Sequence, residues 1–189
     1  MDSSNLITFV TGNPKKLEEG EAILGPYLSQ KIISRNIDLP EYQGTPHEIC
    51  TEKCREAYRK MGGPVIVEDT SLCFNALGGM PGPYIKWFLS ALGPDGLPRL
   101  LSDFNDKTAS AICIFGYAES QEIIQLFEGR TDGQIVFPKG TKDFGWDPIF
   151  LPDQHGKTYG EMNHNEKNMI SHRFGALRKL KEFVLNYNF

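Results

Sequence analysis

Phe9-Val10-Thr11-Gly12-Asn13-Pro14-Lys15-Lys16-Leu17-Glu18-Glu19 decides the fold, because it joins an apolar strand to a helix through a turn suited to an anion. Leu6, Ile7, Phe9 and Val10 read as a short buried strand and Gly12-Asn13-Pro14 as the turn. Lys15 to Leu24 reads as a helix with Leu17, Ile23 and Leu24 facing inward. A helix N-terminus carries partial positive charge, so acids are favoured in its first turn. Lys15 and Lys16 stand there instead, a placement that suits an arriving polyanion or, on the plainer reading, two solvated lysines. The spacing is not Gly-x-x-x-x-Gly-Lys-Ser/Thr, which argues against a P-loop NTPase.

Outward from this junction, Lys31 to Ile37 reads as a second strand and Asp38 to Gly44 as a polar loop. Thr45-Pro46-x-Glu48 has the form of a capping box with proline at the first helical position, and predicts a helix to about Met61, stopped by Gly62-Gly63-Pro64. Pro64 to Val67 is a continuous apolar run, expected to be a central strand buried on both faces. Glu68 and Asp69 are expected at its carboxyl end, where open α/β sheets take their ligands, with Thr70 and Ser71 as candidate caps for the next turn. A Gly/Pro-rich loop spans Gly78 to Pro83 and precedes helices over Tyr84–Leu92 and Gly96–Phe104. Thr108–Tyr117 and Glu122–Val136 read as long antiparallel strands, the second with a bend or bulge over Gly129–Gly133. A last helix begins at Glu166 or Ser171 and runs to Asn186, with Phe174, Leu177, Leu180 and Val184 as its core stripe.

A chain of 189 residues fits one domain, residues 1–189, with room for two lobes. Its net charge of -4 argues against general binding to nucleic acid, so any phosphate site must be local. No apolar run is long enough for a membrane span, and Met1 to Asn5 has neither a basic region nor an apolar leader core, which predicts a cytoplasmic protein. Cys50, Cys54, Cys73 and Cys113 form no Cys-x-x-Cys pair, and His47, His155, His164 and His172 are scattered. Free thiols and no zinc centre are expected.

Five motifs stand in order along the chain. They are Thr11-Gly12-Asn13-Pro14-Lys15-Lys16, Val67-Glu68-Asp69-Thr70, Gly79-Met80-Pro81-Gly82-Pro83-Tyr84-Ile85-Lys86, Phe144-Gly145-Trp146-Asp147-Pro148 and Ser171-His172-Arg173. Together they closely resemble the inosine triphosphate pyrophosphatase family over Phe9 to about Leu180, and Leu39 to Gly44 with Cys73 to Gly79 look like its eukaryotic branch. The resemblance implies an α/β fold, a long twisted mixed β-sheet flanked by helices, in two lobes with a central active-site cleft. It also implies a homodimer and Mg²⁺-dependent hydrolysis of ITP, dITP and XTP to the nucleoside monophosphate and pyrophosphate, with Mn²⁺ able to substitute. Such an enzyme clears deaminated purines from the nucleotide pool.

The residue chemistry is consistent with that activity. A departing pyrophosphate needs cations, which Lys16, Lys53, Lys86 and Lys167 can supply as point charges. Mg²⁺ prefers oxygen ligands with one or two carboxylates, roles that the resemblance gives to Glu41 and Asp69. It makes Asp69, Glu68 and Lys16 the catalytic candidates, Glu68 as a second ligand or a group that orients water. The anion loop Thr11, Gly12, Asn13, Pro14 and Lys15 and the neighbouring Thr70 join the substrate set, although Pro14 removes one backbone donor. The base is expected near Phe144, Gly145, Trp146 and Asp147 and near His172 and Arg173. Arg173 only donates, which suits the six-carbonyl of hypoxanthine and leaves adenine's amino group facing another donor; its plainer role is to pair with an acid.

Overall fold

The structure, a computed structural model, describes residues 6–25 and 31–186. The leader reading on Met1 to Asn5 lies outside the described residues. Strand β1 (Ile7–Val10) is buried at all four positions, as expected of a run without alternation. Helix α1 (Pro14–Leu24) follows, with proline in its first turn and Asn13 as the cap, its side chain accepting from the Lys15 amide at 3.0 Å. Strand β2 (Ile32–Arg35) pairs with β1 in parallel. Helix α2 (Pro46–Met61) has the capping box read from Thr45 and Glu48 and ends on a left-handed Gly62.

Strand β3 (Val65–Phe74) is much longer than the apolar run that announced it. Its parallel register with β1 stops at Val10 opposite Val67, and the strand goes on to pair with β4 (Pro81–Gly82) through Leu72 and Cys73. Glu68 and Asp69 are therefore interior to β3 and not at its end, although they do lie just past the carboxyl end of its neighbour β1. Thr70 and Ser71 are strand residues too, and the next helical turn, Asn75–Leu77, starts from Phe74. The sequence hid this because Asp69 and Ser71 hold buried positions with polar side chains, which breaks the apolar signal.

Helix α3 (Ile85–Gly96) bends at Gly93, whose φ of 66° only glycine takes readily, and Pro94 follows. A 3₁₀ segment over Leu97–Leu101 stands where a second helix to Phe104 was expected. Strands β5 (Thr108–Ala118) and β6 (Ile124–Ile135) match the expected long pair, and β6 runs through Gly129 to Gly133 as one strand. Strand β7 (Phe150–Pro152) pairs antiparallel with β6. The expected last helix is two, α4 (His164–Ile170) and α5 (His172–Asn186), parted at Ser171 by an extended backbone. Leu177, Leu180 and Val184 are core as read, while Phe174 is half-buried and Ala176 is buried on the same helix.

Seven strands form one mixed sheet in the order β2-β1-β3-β5-β6-β7, with β4 on β3. The chain divides into two compact units, the first of Met1–Asp69, Cys113–Gly129 and Arg173–Phe189, the second of Thr70–Ile112 and Arg130–His172. The core of the first packs Phe9, Ile66, Phe115 and Tyr117 against Leu177 and Leu180. That of the second gathers Phe74, Leu97, Leu101, Ile149, Phe150 and Tyr159. Among the described residues no helix is long and apolar enough to cross a membrane.

Candidate active site

In the first unit, charges converge at the carboxyl end of β1. Asp69 accepts from Lys53 Nζ at 2.7 Å, and the same ammonium lies 3.1 Å from Glu41 Oε2. Lys53 comes from the middle of α2, Asp69 from β3 and Glu41 from the loop before α2, so three separated segments meet on one ammonium. Beside them Glu68 Oε1 takes Arg173 Nη2 at 2.8 Å, Lys16 Nζ at 3.3 Å and the Cys113 thiol at 3.5 Å. Arg173 Nη1 is bound to Glu19, an acid of α1 that the sequence reading passed over. Glu19, Arg173, Glu68 and Lys16 thus form a chain of alternating charge, and only Lys16 within it is more than slightly exposed. Arg173 is 1% exposed, and the acid-pairing alternative is the one its geometry displays.

Burial raises the Asp69 carboxyl above its ordinary value, against the lowering pull of Lys53 and then Lys16. Burial works the other way on Lys53, but Asp69 and Glu41 outweigh it and its pKa is raised. Arg173 is held firmly cationic, since Glu68 and its other neighbours overcome desolvation. Burial likewise pushes the Cys113 thiol well up, so it is a neutral donor to Glu68.

The anion loop is less open than its sequence suggested. The Asn13 amide donates to Thr11 Oγ1 at 3.2 Å and the Lys15 amide to the Asn13 side chain. Lys15 and Pro14 are exposed, as are Gly12 and Asn13. Lys16, one residue on, is the member of this motif that reaches the acid cluster.

In the second unit a different nest forms. Lys167 Nζ and Asp147 Oδ2 make a buried ion pair at 2.6 Å, with the ammonium 4.1 Å from the ring centre of Phe144 and 5.6 Å from that of Tyr159. His172 packs against Trp146, ring centres 5.4 Å apart, and stacks on Tyr159 at 6.0 Å and 19°. Gly145, with φ of 53°, makes the turn that carries Phe144 and Trp146 into this nest. Tyr159 was not foreseen, since a lone tyrosine between Gly156 and Gly160 has no local pattern to mark it. Lys86 lies in the first turn of α3, exposed, with Nζ 5.3 Å from the ring of Trp87, and Thr70 is half-buried in β3. Neither Lys86 nor Lys167 joins Lys16 and Lys53 in a cluster within one unit.

The donor set of the first unit fits Mg²⁺. Glu41 and Asp69 already converge on one cationic centre, and Asp69 Oδ2 is buried with no hydrogen-bond partner among the described residues. A buried acceptor of that kind calls for a cation or water, and two carboxylates are what Mg²⁺ usually takes from protein. No group of three or more His, Cys, Asp or Glu that could hold a metal ion occurs among the described residues, so a metal here would take two carboxylates from protein and the rest of its ligands from water and phosphate. Cys50 and Cys54 pack instead against Gly116, where an added Cβ would stand 2.3 Å from the Cys54 sulfur.

A mixed α/β chain with a carboxylate and lysine cluster at its strand ends and a separate aromatic nest is the class that fold and side chains define. The chain belongs to the Ham1 family, whose model matches residues 7–183. A HAM1 protein from Coxiella burnetii is similar at 27% identity with a TM-score of 0.85, over 96% of this chain and 98% of that one. A nucleoside-triphosphatase / dITP/XTP pyrophosphatase from Mycobacterium abscessus is similar at 28% identity with a TM-score of 0.72, over 92% and 96%. The Staphylococcus aureus Ham1 protein, at 23% identity and a TM-score of 0.78 over 95% and 97%, shares the fold. The family and the sheet architecture expected from the motifs are thus both found.

Proposed function

We propose that this chain hydrolyses non-standard purine nucleoside triphosphates, ITP, dITP and XTP, to the monophosphate and pyrophosphate, and that it needs Mg²⁺. The observation that carries this reading is the convergence of Glu41, Lys53 and Asp69 in the first unit, with Lys16 and Glu68 beside them. The solved relative from Mycobacterium abscessus, described as a dITP/XTP pyrophosphatase, supports the substrate class.

Glu41 and Asp69 hold the metal, which when bound polarises phosphoryl oxygens and takes up charge on the departing pyrophosphate. Lys16 and Lys53 meet the triphosphate as point charges. Asp69, its carboxyl raised by burial, also suits the acceptance of a proton from the attacking water. Glu68 carries Lys16, Arg173 and Cys113 on one oxygen and so fixes the direction of Lys16.

The base falls to the second unit's nest. Trp146 and Phe144 offer ring faces, and His172 can donate to a six-carbonyl from either nitrogen. A donor so positioned disfavours adenine by about 1 to 3 kcal/mol per buried mismatch. The same reading includes a homodimer in the cytoplasm, with Mn²⁺ able to replace Mg²⁺.

The test is pyrophosphate release from ITP, dITP, XTP, GTP, ATP, and modified pyrimidine triphosphates in Mg²⁺ and in EDTA. Preference for the first three that EDTA removes is expected. A preference for modified pyrimidines would make this a different house-cleaning hydrolase, and tight ITP binding without pyrophosphate would make it a sensor.

A further inference from the structure

Resting on the reading that Glu41 and Asp69 hold the metal, we propose that Lys53 is an internal counter-cation that excludes the divalent ion from those carboxylates until a triphosphate draws its ammonium away. Metal and nucleotide then enter together, and the ion alone is held weakly.

The argument starts from where Lys53 Nζ stands. It is 2.7 Å from Asp69 Oδ1 and 3.1 Å from Glu41 Oε2, so the point at which the two carboxylates converge is the ammonium itself. The lysine side chain is 14% exposed and that of Asp69 is 10%, so a second cation brought beside the first is poorly screened on the Asp69 side, while Glu41, 44% exposed, is the side open to water.

Lysine is also the cation best suited to yield the place. Its charge sits on a flexible four-carbon stem with three rotatable donors, so it can change partners without moving α2. A triphosphate offers oxygens of higher charge than a single carboxylate. Once Nζ turns to them, Asp69 Oδ1 and Glu41 Oε2 become available to a divalent ion, and Asp69 Oδ2, buried and without a hydrogen-bond partner among the described residues, adds a further acceptor. An arginine in this position would hold its carboxylates in a fixed fork and would not exchange so readily.

Binding of Mn²⁺, read from the electron paramagnetic resonance signal of the free ion, tests this without turnover. Wild type is expected to bind Mn²⁺ weakly alone and much more tightly with the α,β-methylene analogue of ITP. Lys53→Gln should bind Mn²⁺ alone at least about tenfold more tightly than wild type, because a like charge a few ångströms away is gone. Lys53→Met, which cannot donate at all, should do the same, and Mn²⁺ without nucleotide should raise the melting temperature of both variants more than that of wild type. Folded Lys53 variants that bind Mn²⁺ no more tightly would overturn the exclusion, even if Asp69→Asn still strips Mn²⁺ from the wild-type complex with nucleotide. In that case the metal assignment survives and the role given to Lys53 does not. If Asp69→Asn leaves Mn²⁺ binding in the nucleotide complex intact, the metal assignment itself fails and takes the exclusion with it.

Discussion

Each unit of this molecule buries one lysine–aspartate pair, and the surroundings make them opposites. Lys53 and Asp69 sit among further charges, with Glu41 on the same ammonium and Lys16 close enough to pull on the Asp69 carboxyl. Lys167 and Asp147 sit among rings, at 2.6 Å and side-chain exposures of 5% and 7%, with Phe144 and Tyr159 around the ammonium. A pair set among charges can trade partners with an ionic ligand at little cost. A pair set among rings parts at greater cost, because both side chains are buried and an aromatic face lies against the ammonium. The same two residue types therefore belong to ionic chemistry in one unit and to the build of an aromatic pocket in the other.

Asp69→Asn is where the contrast should be largest. The substitution keeps the shape and removes the charge, so pyrophosphate release from ITP is expected to fall by at least about a hundredfold, as when a metal ligand or water-activating group is lost. The fold should survive, since Lys53 keeps Glu41 and a buried charge has been removed. Near-normal turnover in saturating Mg²⁺ would break the assignment.

The matching change in the second unit, Asp147→Ala, should register in stability. It leaves Lys167 buried without its carboxylate, and breaking such a pair costs about 3 kcal/mol even with the Phe144 ring still against the cation. Chemical denaturation of the purified variant checks this. An unchanged midpoint, or a loss of turnover with stability intact, would mean that Lys167 and Asp147 serve the substrate directly and that the two pairs are less different than their surroundings imply.

How much of this was legible in the sequence varied with the kind of signal. The junction of β1 with α1, the capping box at Thr45 and the central position of Val65 to Val67 were all readable, because local chemistry fixes them. The separate helix before Ser171 was readable in principle, since Asn163 and Glu166 form a further capping box that announces a helix at His164. The length of β3 was not, because pairing with β4 sustains that strand and no local propensity reveals it. In the site, the five motifs brought forward Lys16, Glu68 and Asp69, while Glu41 came from the loop over Leu39 to Gly44 and Lys53 from the search for cations to meet a pyrophosphate, and the structure brings these together in one unit. Glu19 stayed hidden because an acid three residues after a lysine on a helix is ordinarily a surface pair, and only the fold carries Arg173 to it across 154 residues of chain.

The smallest effect expected concerns pH, and it comes from Asp69 alone. Its carboxyl is raised above the ordinary 3.8, by burial first, with Lys53 and Lys16 opposing. The folded chain therefore binds this proton more tightly than the unfolded chain does. Between 3.8 and the raised value the native state carries more protons, so ionisation of Asp69 lowers stability as pH rises through that window. Activity must change in the other direction, because only the anion can hold a metal or accept a proton, and kcat/KM for ITP, which reports the free enzyme, should climb as pH rises through the raised pKa. Measured across this acid range, the stability of wild type relative to Asp69→Asn should decline with rising pH while wild-type kcat/KM increases. The two trends have opposite signs for one group, which separates Asp69 from the exposed Asp106, whose carboxyl is lowered by hydrogen bonds from Thr108 and would add stability as it ionised. If both quantities rise together, the acid limb belongs to another carboxylate and Asp69 is not the group whose charge turnover needs.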